Sequence, residues 1–520
     1  MSLFRSASTV SLLTLASRIT GLIRDVLMSS VFGVSALTDA YYVAFRIPNL
    51  FRRVLGEGAF SQAFVPVLAA CKTEKGDEGA KQLIDHVGTL LTWTLVLLCI
   101  AGVVAAPLMV WAMASGLQKS GGFDPAVVMT RWMFPYIGFM SLVAFAGGIL
   151  NTWRKFAVPA ASPVLLNVAL ILSIVVGAPL FRRWGIEPIY AQCVGVLVGG
   201  MLQLGLQLPA LRKLGMFPRI GVTFAALRTA WADPTTRKIL GLMLPAMIGV
   251  SGAQISLLIN TQIASHLAEG SVTWITNADR LMEFPSAMLG VALGVVLMPQ
   301  LAAARAAQDH LRYSAMLDWG LRLIVLLAVP CAVALLVFPK PLVAVLFHNG
   351  AFSAIDVQRT TVALMGYGTG LVGIVAIKVL AAGYYARHDM RSPMRFSLIA
   401  LALTQVLNIF LVPYLQHAGL TLSIGLAQLL NALLLLIGLR RIGAFKPLPG
   451  WWRFFAQVLA ATLLLAALLA WGNQHFDWIA LRDQRLLRAG LLAAFIAGAG
   501  VLYFGVLTLA GLKLRSFLRH

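Results

Sequence analysis

Apolar residues run along this chain in long uncharged blocks, and charged residues gather in the gaps between them. A helix that crosses roughly 30 Å of hydrocarbon needs about 20 mostly apolar residues. Twelve blocks of about that length stand at 87–118, 132–153, 156–181, 188–211, 239–265, 284–304, 323–339, 360–377, 396–416, 418–439, 454–476 and 489–512. Two more, 9–32 and 36–68, have the length but carry charges inside. The first of these holds Arg18, Arg24 and Asp25 and lacks a small-residue cleavage site behind a clean apolar core, so it reads as a retained span rather than a signal peptide. The pattern predicts an all-α polytopic membrane protein with 14 transmembrane helices.

An even number of spans places both termini on one side and divides the loops into two sets. Lys72, Lys75 and Lys81, the pair Arg154 and Lys155, the basic segment from Arg212 to Lys238 and the tail with Lys513, Arg515 and Arg519 fall on the terminal side. The opposite set holds mainly Lys119, Arg182, Arg183, Lys340, Arg359, Arg482 and Arg485. Cytoplasmic loops collect Lys and Arg, so both termini are expected in the cytoplasm. One missed helix would reverse the bias halfway, so its persistence is a check on the count.

Composition agrees. Hydrophobic residues make up 59% of the 520 and charged residues 12%, with a mean hydropathy of +0.85. Soluble domains have about 25% charged residues, and a particle this size with so few could not cover its surface in water. A soluble globular enzyme is excluded. The net charge of +22 raises nucleic acid as a partner, but no basic patch with base-reading or stacking groups accompanies it, so topology accounts for it. Cys71, Cys99, Cys193 and Cys331 have no spacing that implies a disulfide framework or a zinc site.

A faint duplication divides the chain. Arg46-Ile47-Pro48 followed by Val65-Pro66-Val67-Leu68-Ala69-Ala70 is echoed by Glu283-Phe284-Pro285 followed by Met298-Pro299-Gln300-Leu301-Ala302-Ala303. Short basic loops ending at Ser162-Pro163 and Ser392-Pro393 make a second echo. The expected organisation is an N-lobe at 1–215 with six spans, a cytoplasmic linker at 216–238 and a C-lobe at 239–443 with six spans. Two further helices and a basic tail fill 444–520. Two even-numbered repeats share an orientation, with a central cavity between the lobes as the expected arrangement.

Ionisable residues inside spans are costly and normally face a water-filled cavity. Ser17, Gly21, Arg24 and Met28 form one helical stripe, with Arg18 and Asp25 on the next. Asp39, Arg46 and Arg53 recur every seven residues, with Arg52 and Glu57 nearby, and Asp279, Arg280 and Glu283 open the eighth span. Alternatives stand beside this reading. Arg52, Arg53 and Glu57 can snorkel at a helix end, Arg18 and Arg24 can pair structurally with Asp25 or Asp39, and Glu283 can pair with Arg280. Guanidinium binds phosphate bidentately and cannot be neutralised by a pKa shift, so an arginine-lined cavity suits a phosphate or pyrophosphate cargo. No Walker loop, HExxH or GxSxG motif occurs, so the chain reads as a transporter without an ATPase of its own.

These residues resemble the MurJ/MviN lipid II flippases of bacterial inner membranes. The likeness is carried by Ser17-Arg18-Ile19-Thr20-Gly21-Leu22-Ile23-Arg24-Asp25, Thr38-Asp39-Ala40 and Pro48-Asn49-Leu50-Phe51-Arg52-Arg53. It extends through Gly56-Glu57-Gly58-Ala59-Phe60-Ser61-Gln62, Ala278-Asp279-Arg280-Leu281-Met282-Glu283-Phe284-Pro285, Lys378-Val379 and Tyr385-Ala386-Arg387. The resemblance implies two six-helix lobes around a cationic cavity, with helices 13 and 14 bordering a groove for a polyprenyl tail. It implies essential charges at Arg18, Arg24, Arg52 and Arg280, with Asp39 also important and Arg24 and Arg280 holding the pyrophosphate. Ser17, Arg53, Glu57, Thr273 and Asp279 complete the candidate substrate site, Thr273 standing where close relatives have serine.

The implied cargo and partner is lipid II, with membrane lipids around it and cell-wall synthesis or division proteins as candidate partners. No cofactor or metal is implied. Coupling to a monovalent cation is an open expectation, since no full sodium-ligand set can be matched. The alternatives are an exporter of another polyprenyl-linked glycan or of drugs, and a membrane-embedded glycan polymerase. The last would need an outward-facing catalytic carboxylate, for which Asp124, Glu187 and Asp477 are isolated candidates.

Overall fold

The computed structural model describes residues 3–53, 60–513 and 517, and within them the chain is helical with no strand. It packs as two compact units, Met1–Val272 and Thr273–His520. The first holds α1 (Leu3–Phe32), α2 (Ala36–Phe51), α3 (Ser61–Val104), α4 (Ala106–Ala114), α5 (Leu117–Ser120) and α6 (Phe123–Met133), then α7 (Tyr136–Thr152), α8 (Ala157–Leu172), α9 (Ala178–Arg183), α10 (Tyr190–Lys213), α11 (Phe224–Ala232) and α12 (Pro234–Ser265). The second begins just inside α13 (Ser271–Ala306) and continues with α14 (His310–Val337), α15 (Pro339–Phe347), α16 (Ala354–Tyr385), α17 (Arg391–Arg441), α18 (Trp451–His475) and α19 (Arg485–Leu509). A chain this apolar has few other choices, because in lipid each backbone N–H and C=O must be satisfied within its own segment.

Among the described residues nine helical segments are long and apolar enough to cross a membrane. Helix α17 is one of the nine, yet its 51 residues would stretch about 77 Å at 1.5 Å per residue, more than twice the hydrocarbon thickness. Gln416 resolves this. It lies in the left-handed region at φ 52°, ψ −131° and divides α17 into two limbs. Gly419 completes the turn, because a Cβ there would sit 2.7 Å from the Leu411 carbonyl oxygen. The turn falls between the expected spans 396–416 and 418–439. Gly76, at φ 69°, breaks α3 in the same way within the gap before the expected span at 87.

Other spans depart from simple helices. The block expected at 87–118 is broken at Ala105 and continues as α4 and α5. Between α8 and α9 the chain widens into a π-helical segment, Ser173–Gly177. Gln192 on α10 donates to the Ser173 hydroxyl (2.7 Å) and the Leu170 carbonyl (3.3 Å), meeting polar groups that the widened turn displaces. The expected linker at 216–238 is ordered. Its backbone lies along α3, with the Arg219 N–H donating to Asp85 (2.7 Å), the Gly221 N–H to Thr89 (2.9 Å) and Trp93 donating to the Gly221 carbonyl (3.0 Å). Helix α12, assigned by the repeat to the second lobe, packs against α3 and α4 of the first unit.

In the second unit, α16 and α17 approach backbone to backbone along a stripe of small residues. A Cβ on Gly366 would meet Thr421 Oγ1 at 2.1 Å, one on Gly370 the Cα of Gly425 at 2.4 Å, and one on Gly373 the Gln428 carbonyl carbon at 2.8 Å. Such close packing supplies van der Waals attraction where lipid offers no hydrophobic drive between helices.

Asp318 on α14 fastens the approach to α18. Its carboxylate is 1% exposed and accepts from the Leu448 N–H (3.0 Å), Trp451 Nε1 (2.7 Å) and Arg322 Nε (2.7 Å), while Arg322 Nη2 donates to the Pro449 carbonyl (2.9 Å). Removing one member of a buried ion pair costs about 3–5 kcal/mol. Asp318→Asn is therefore expected to lower the melting temperature of the purified protein by several degrees and to open the 446–450 loop to protease. A melting curve and cleavage pattern like those of the unsubstituted protein would count against this anchoring role.

Candidate functional site

The polar stripe of α1 lies against α8. Arg24 is buried, and its guanidinium donates through Nε (2.9 Å) and Nη2 (2.7 Å) to Asp25 Oδ1 and through Nη1 (3.0 Å) to Asn167 Oδ1 on α8. Asn167 donates back to the Ser17 carbonyl (2.9 Å) and the Thr20 hydroxyl (3.2 Å). Gly21 leaves room for this amide, since a Cβ there would lie 3.5 Å from Asn167 Nδ2. Ser17, Thr20, Gly21 and Arg24 thus fall on one face as their helical spacing requires, and the structural pairing of Arg24 with Asp25 is present. Arg18, beside this face, is partly buried.

Helix α2 carries the next set. Ser35 and Thr38 form a reciprocal capping box at its start. Asp39, in the first turn, is 4% exposed, and its Oδ2 accepts the Gly270 N–H at 2.8 Å. Glu269 Oε1 accepts the Ala36 N–H at 2.8 Å, so the 269–270 turn is tied to the helix start twice, at a glycine whose φ of 93° few other residues adopt. Further along, Arg46 Nη1 donates to Thr261 on α12 (2.9 Å) and Arg52 Nε to Asn49 (3.1 Å). Arg53 is exposed, and Glu57 lies outside the described residues.

Through residue 53, α1, α2 and the two residues that follow α2 hold Arg5, Arg18, Arg24, Arg46, Arg52 and Arg53 against Asp25 and Asp39. Pairing of Arg24 with Asp25 therefore leaves a surplus of positive charge. Positive charge in an apolar setting, on groups that cannot be neutralised by losing a proton, favours an anion.

In the second unit the candidates line α13. Thr273 is buried, Asp279 is exposed, and Arg280 Nη1 pairs with Glu283 Oε2 at 2.9 Å, with the two side chains 39% and 43% exposed. That pair is the i, i+3 bridge set against a substrate role. Lys378 on α16 donates to the Ser286 carbonyl (2.8 Å), one turn beyond Glu283.

Two residues were missed by the sequence reading of charges. Asn167 carries no charge and sits alone in the apolar run 156–181, and a lone amide inside a long apolar span is the available signal. Lys378 lies just past the run ending at 377, where its charge marks only the end of an apolar block. Among the described residues no three His, Cys, Asp or Glu side chains are grouped to hold a metal ion.

Comparison with known proteins agrees over the whole length. Residues 28–482 match the family described as lipid II flippase MurJ. A lipid II flippase MurJ from Burkholderia cenocepacia is 50% identical, covering 100% of both chains. Among solved structures, a lipid II flippase MurJ in an inward closed conformation superposes with a TM-score of 0.79 at 22% identity, covering 98% of this chain and 99% of that one. An inward-facing multidrug resistance MATE family transporter of the MOP superfamily gives a TM-score of 0.62 at 16% identity, covering 82% of this chain and 95% of that one.

Proposed function

The chain belongs to the lipid II flippase MurJ family, and from that membership we infer that it carries lipid II from the cytoplasmic to the periplasmic leaflet for peptidoglycan synthesis. The cargo is undecaprenyl-pyrophosphoryl disaccharide-pentapeptide, and the route is alternating access. The protein is a multi-pass transporter of the bacterial inner membrane. The single observation that carries the reading is the arginine surplus on α1 and α2, because the pyrophosphate is the one strongly anionic and compact feature of this cargo.

The reading takes fourteen spans, counting the two limbs of α17 separately and adding α1, α2, α12 and α13 to the nine segments that are long and apolar enough among the described residues. With fourteen spans both termini are cytoplasmic, six helices form each lobe, and α18 and α19 stand outside the duplication. Arg24 and Arg280 bind the pyrophosphate, with Arg18, Arg52 and Arg53 supplying further positive potential. Ser17, Thr273 and Asp279 offer polar contacts to the headgroup, Asp39 holds the 269–270 turn, and Glu57 completes the set. Between cargoes Asp25 occupies the Arg24 fork, so the site stays ordered and the arriving phosphate takes the place of a carboxylate.

A cationic site emptied at the outer face is driven back inward by a membrane potential positive outside, worth about 2.3 kcal/mol per charge per 100 mV. A monovalent cation is the candidate for any further coupling, and proteins of cell-wall synthesis or division are candidate partners.

Depleting the protein in growing cells tests the reading. Lipid II is expected to accumulate in the inner leaflet while the outer leaflet is starved of it. Lipid II reaching the outer leaflet at its normal rate, with only glycan polymerisation halted, would overturn it.

A further inference from the structure

The end of α19 nearest the 476–484 loop holds a concentration of positive charge that the transport reading does not use. Arg485 and Arg488 both stand in the first turn of α19, which contains no acidic residue, and Arg482 precedes them in a 3-10 turn. A helix N-terminus is already the positive end of its dipole, so two cations there are placed against the field. Arg488 is 1% exposed. Its Nη2 donates to the His348 carbonyl (3.1 Å) and Asn349 Oδ1 (3.3 Å), and Arg482 Nη2 donates to the Gly350 carbonyl. Two guanidinium groups therefore grip three consecutive residues of the turn after α15.

Arg488 is incompletely satisfied. Its Nε and Nη1 are buried without a hydrogen-bond partner, as is Nδ1 of His348. Buried guanidinium donors almost always have acceptors, and their lack points to an absent one. The charges that act on Arg488 are Arg485 and Arg482, both of its own sign. Nearby carboxylates are committed or lie outside: Asp356 accepts from Trp274 (2.9 Å) and from Ser353 (2.7 Å), Asp477 accepts the Ile479 and Ala480 N–H groups (3.0 and 3.2 Å), and Asp483 is exposed. His348, outside the spans, is held below the usual histidine range by burial and by Arg482 and Arg488, and so stays neutral at pH 7.

We propose that Arg482, Arg485 and Arg488 at the start of α19 form a binding site for a phosphate oxyanion, supplied by the headgroup of an anionic phospholipid. The chemistry is that of guanidinium with phosphate, which adds charge-assisted hydrogen bonds and a fork geometry that lysine lacks. Free phosphate shares this chemistry. A lipid is favoured because Leu486 and Leu487, in the same turn, are 91% and 51% exposed on an apolar spanning helix and offer an acyl chain a surface beside the cations. Trp471, half exposed on α18 near the same loop, suits the headgroup level where amphipathic rings collect. The three arginines are not among the residues assigned to the lipid II headgroup, although α18 and α19 border the groove expected for its tail, so the test reads phospholipid binding rather than transport.

The test is native mass spectrometry of the purified full-length protein with phosphatidylglycerol, phosphatidylcholine or inorganic phosphate as the probe. Phosphatidylglycerol is expected to be retained several-fold over phosphatidylcholine, and to fall to the phosphatidylcholine level in Arg488→Gln and in Arg485→Gln, as for a lost charge-assisted contact. Arg485 is exposed, so its variant keeps the test valid if Arg488→Gln does not fold. Inorganic phosphate bound with the same dependence on both arginines, and no preference between the lipids, would support the oxyanion site and assign it to the free ion. Equal retention of the two lipids with no phosphate bound, or retention of phosphatidylglycerol unchanged in both variants, would overturn the proposal.

Discussion

Arg280→Ala is expected to stop lipid II translocation while leaving the amount of protein in the membrane unchanged. The Arg280–Glu283 pair is more than one-third exposed on both sides and joins neighbours on one helix. Bridges of that kind contribute about 0–1 kcal/mol, too little for their loss to unfold a protein of this size. A null phenotype in Arg280→Ala would therefore report on cargo. Complementation of depleted cells, with protein level read by immunoblot, is the measurement. Growth at the unsubstituted rate would remove Arg280 from the site.

Arg24 needs a different design. Its pair with Asp25 is buried, with side chains only 11% and 6% exposed, so Arg24→Ala leaves a carboxylate without its cation at a cost of about 3–5 kcal/mol. Loss of function in that variant alone is ambiguous. Arg24→Ala combined with Asp25→Asn removes both charges, and the protein level is expected to recover while translocation does not. Recovery of translocation together with the level would mean that Arg24 serves only to neutralise Asp25.

The second large effect is on assembly. Gly370→Val is expected to prevent α16 and the second limb of α17 from packing, because even a Cβ would stand 2.4 Å from the Gly425 Cα, and that contact is backbone on both sides. Overpacking a core typically costs about 1–3 kcal/mol and more where no side chain can yield. The expected result is a membrane level several-fold below normal and a cooperative melting transition shifted down or absent. Val362, 37% exposed on the same helix, is the control position, where replacement by leucine should leave both unchanged. A stable Gly370→Val protein would show that the two helices separate more easily than this packing allows.

These particulars mark what was legible in the sequence. The left-handed residue Gln416 falls at the end of one expected span, because a polar pair, Gln416 and His417, is the only interruption the apolar pattern offers there. The stripe Ser17, Gly21, Arg24 was legible because period 3.6 fixes which residues share a face, but its neighbour was not. Periodicity gives a direction within one helix, and the helix it meets depends on long-range packing, so Asn167 escaped notice. The Gly366, Gly370 and Gly373 spacing was equally visible, yet glycine in an apolar span carries no charge to draw attention. The order of 216–238 was hidden for another reason: its hydrogen bonds run from backbone N–H groups to Asp85 and Thr89, and backbone donors leave no mark in composition.

The central claim is that arginine captures the pyrophosphate of lipid II. Retention of lipid II by the purified protein tests it most directly, comparing the unsubstituted chain with Arg280→Ala and with the Arg24→Ala, Asp25→Asn pair. The account predicts that both variants, folded by their melting curves, lose lipid II by tenfold or more, in line with the loss of a charge-assisted contact of about 1.5–3 kcal/mol. Folded variants that hold lipid II as tightly as the unsubstituted protein would contradict it.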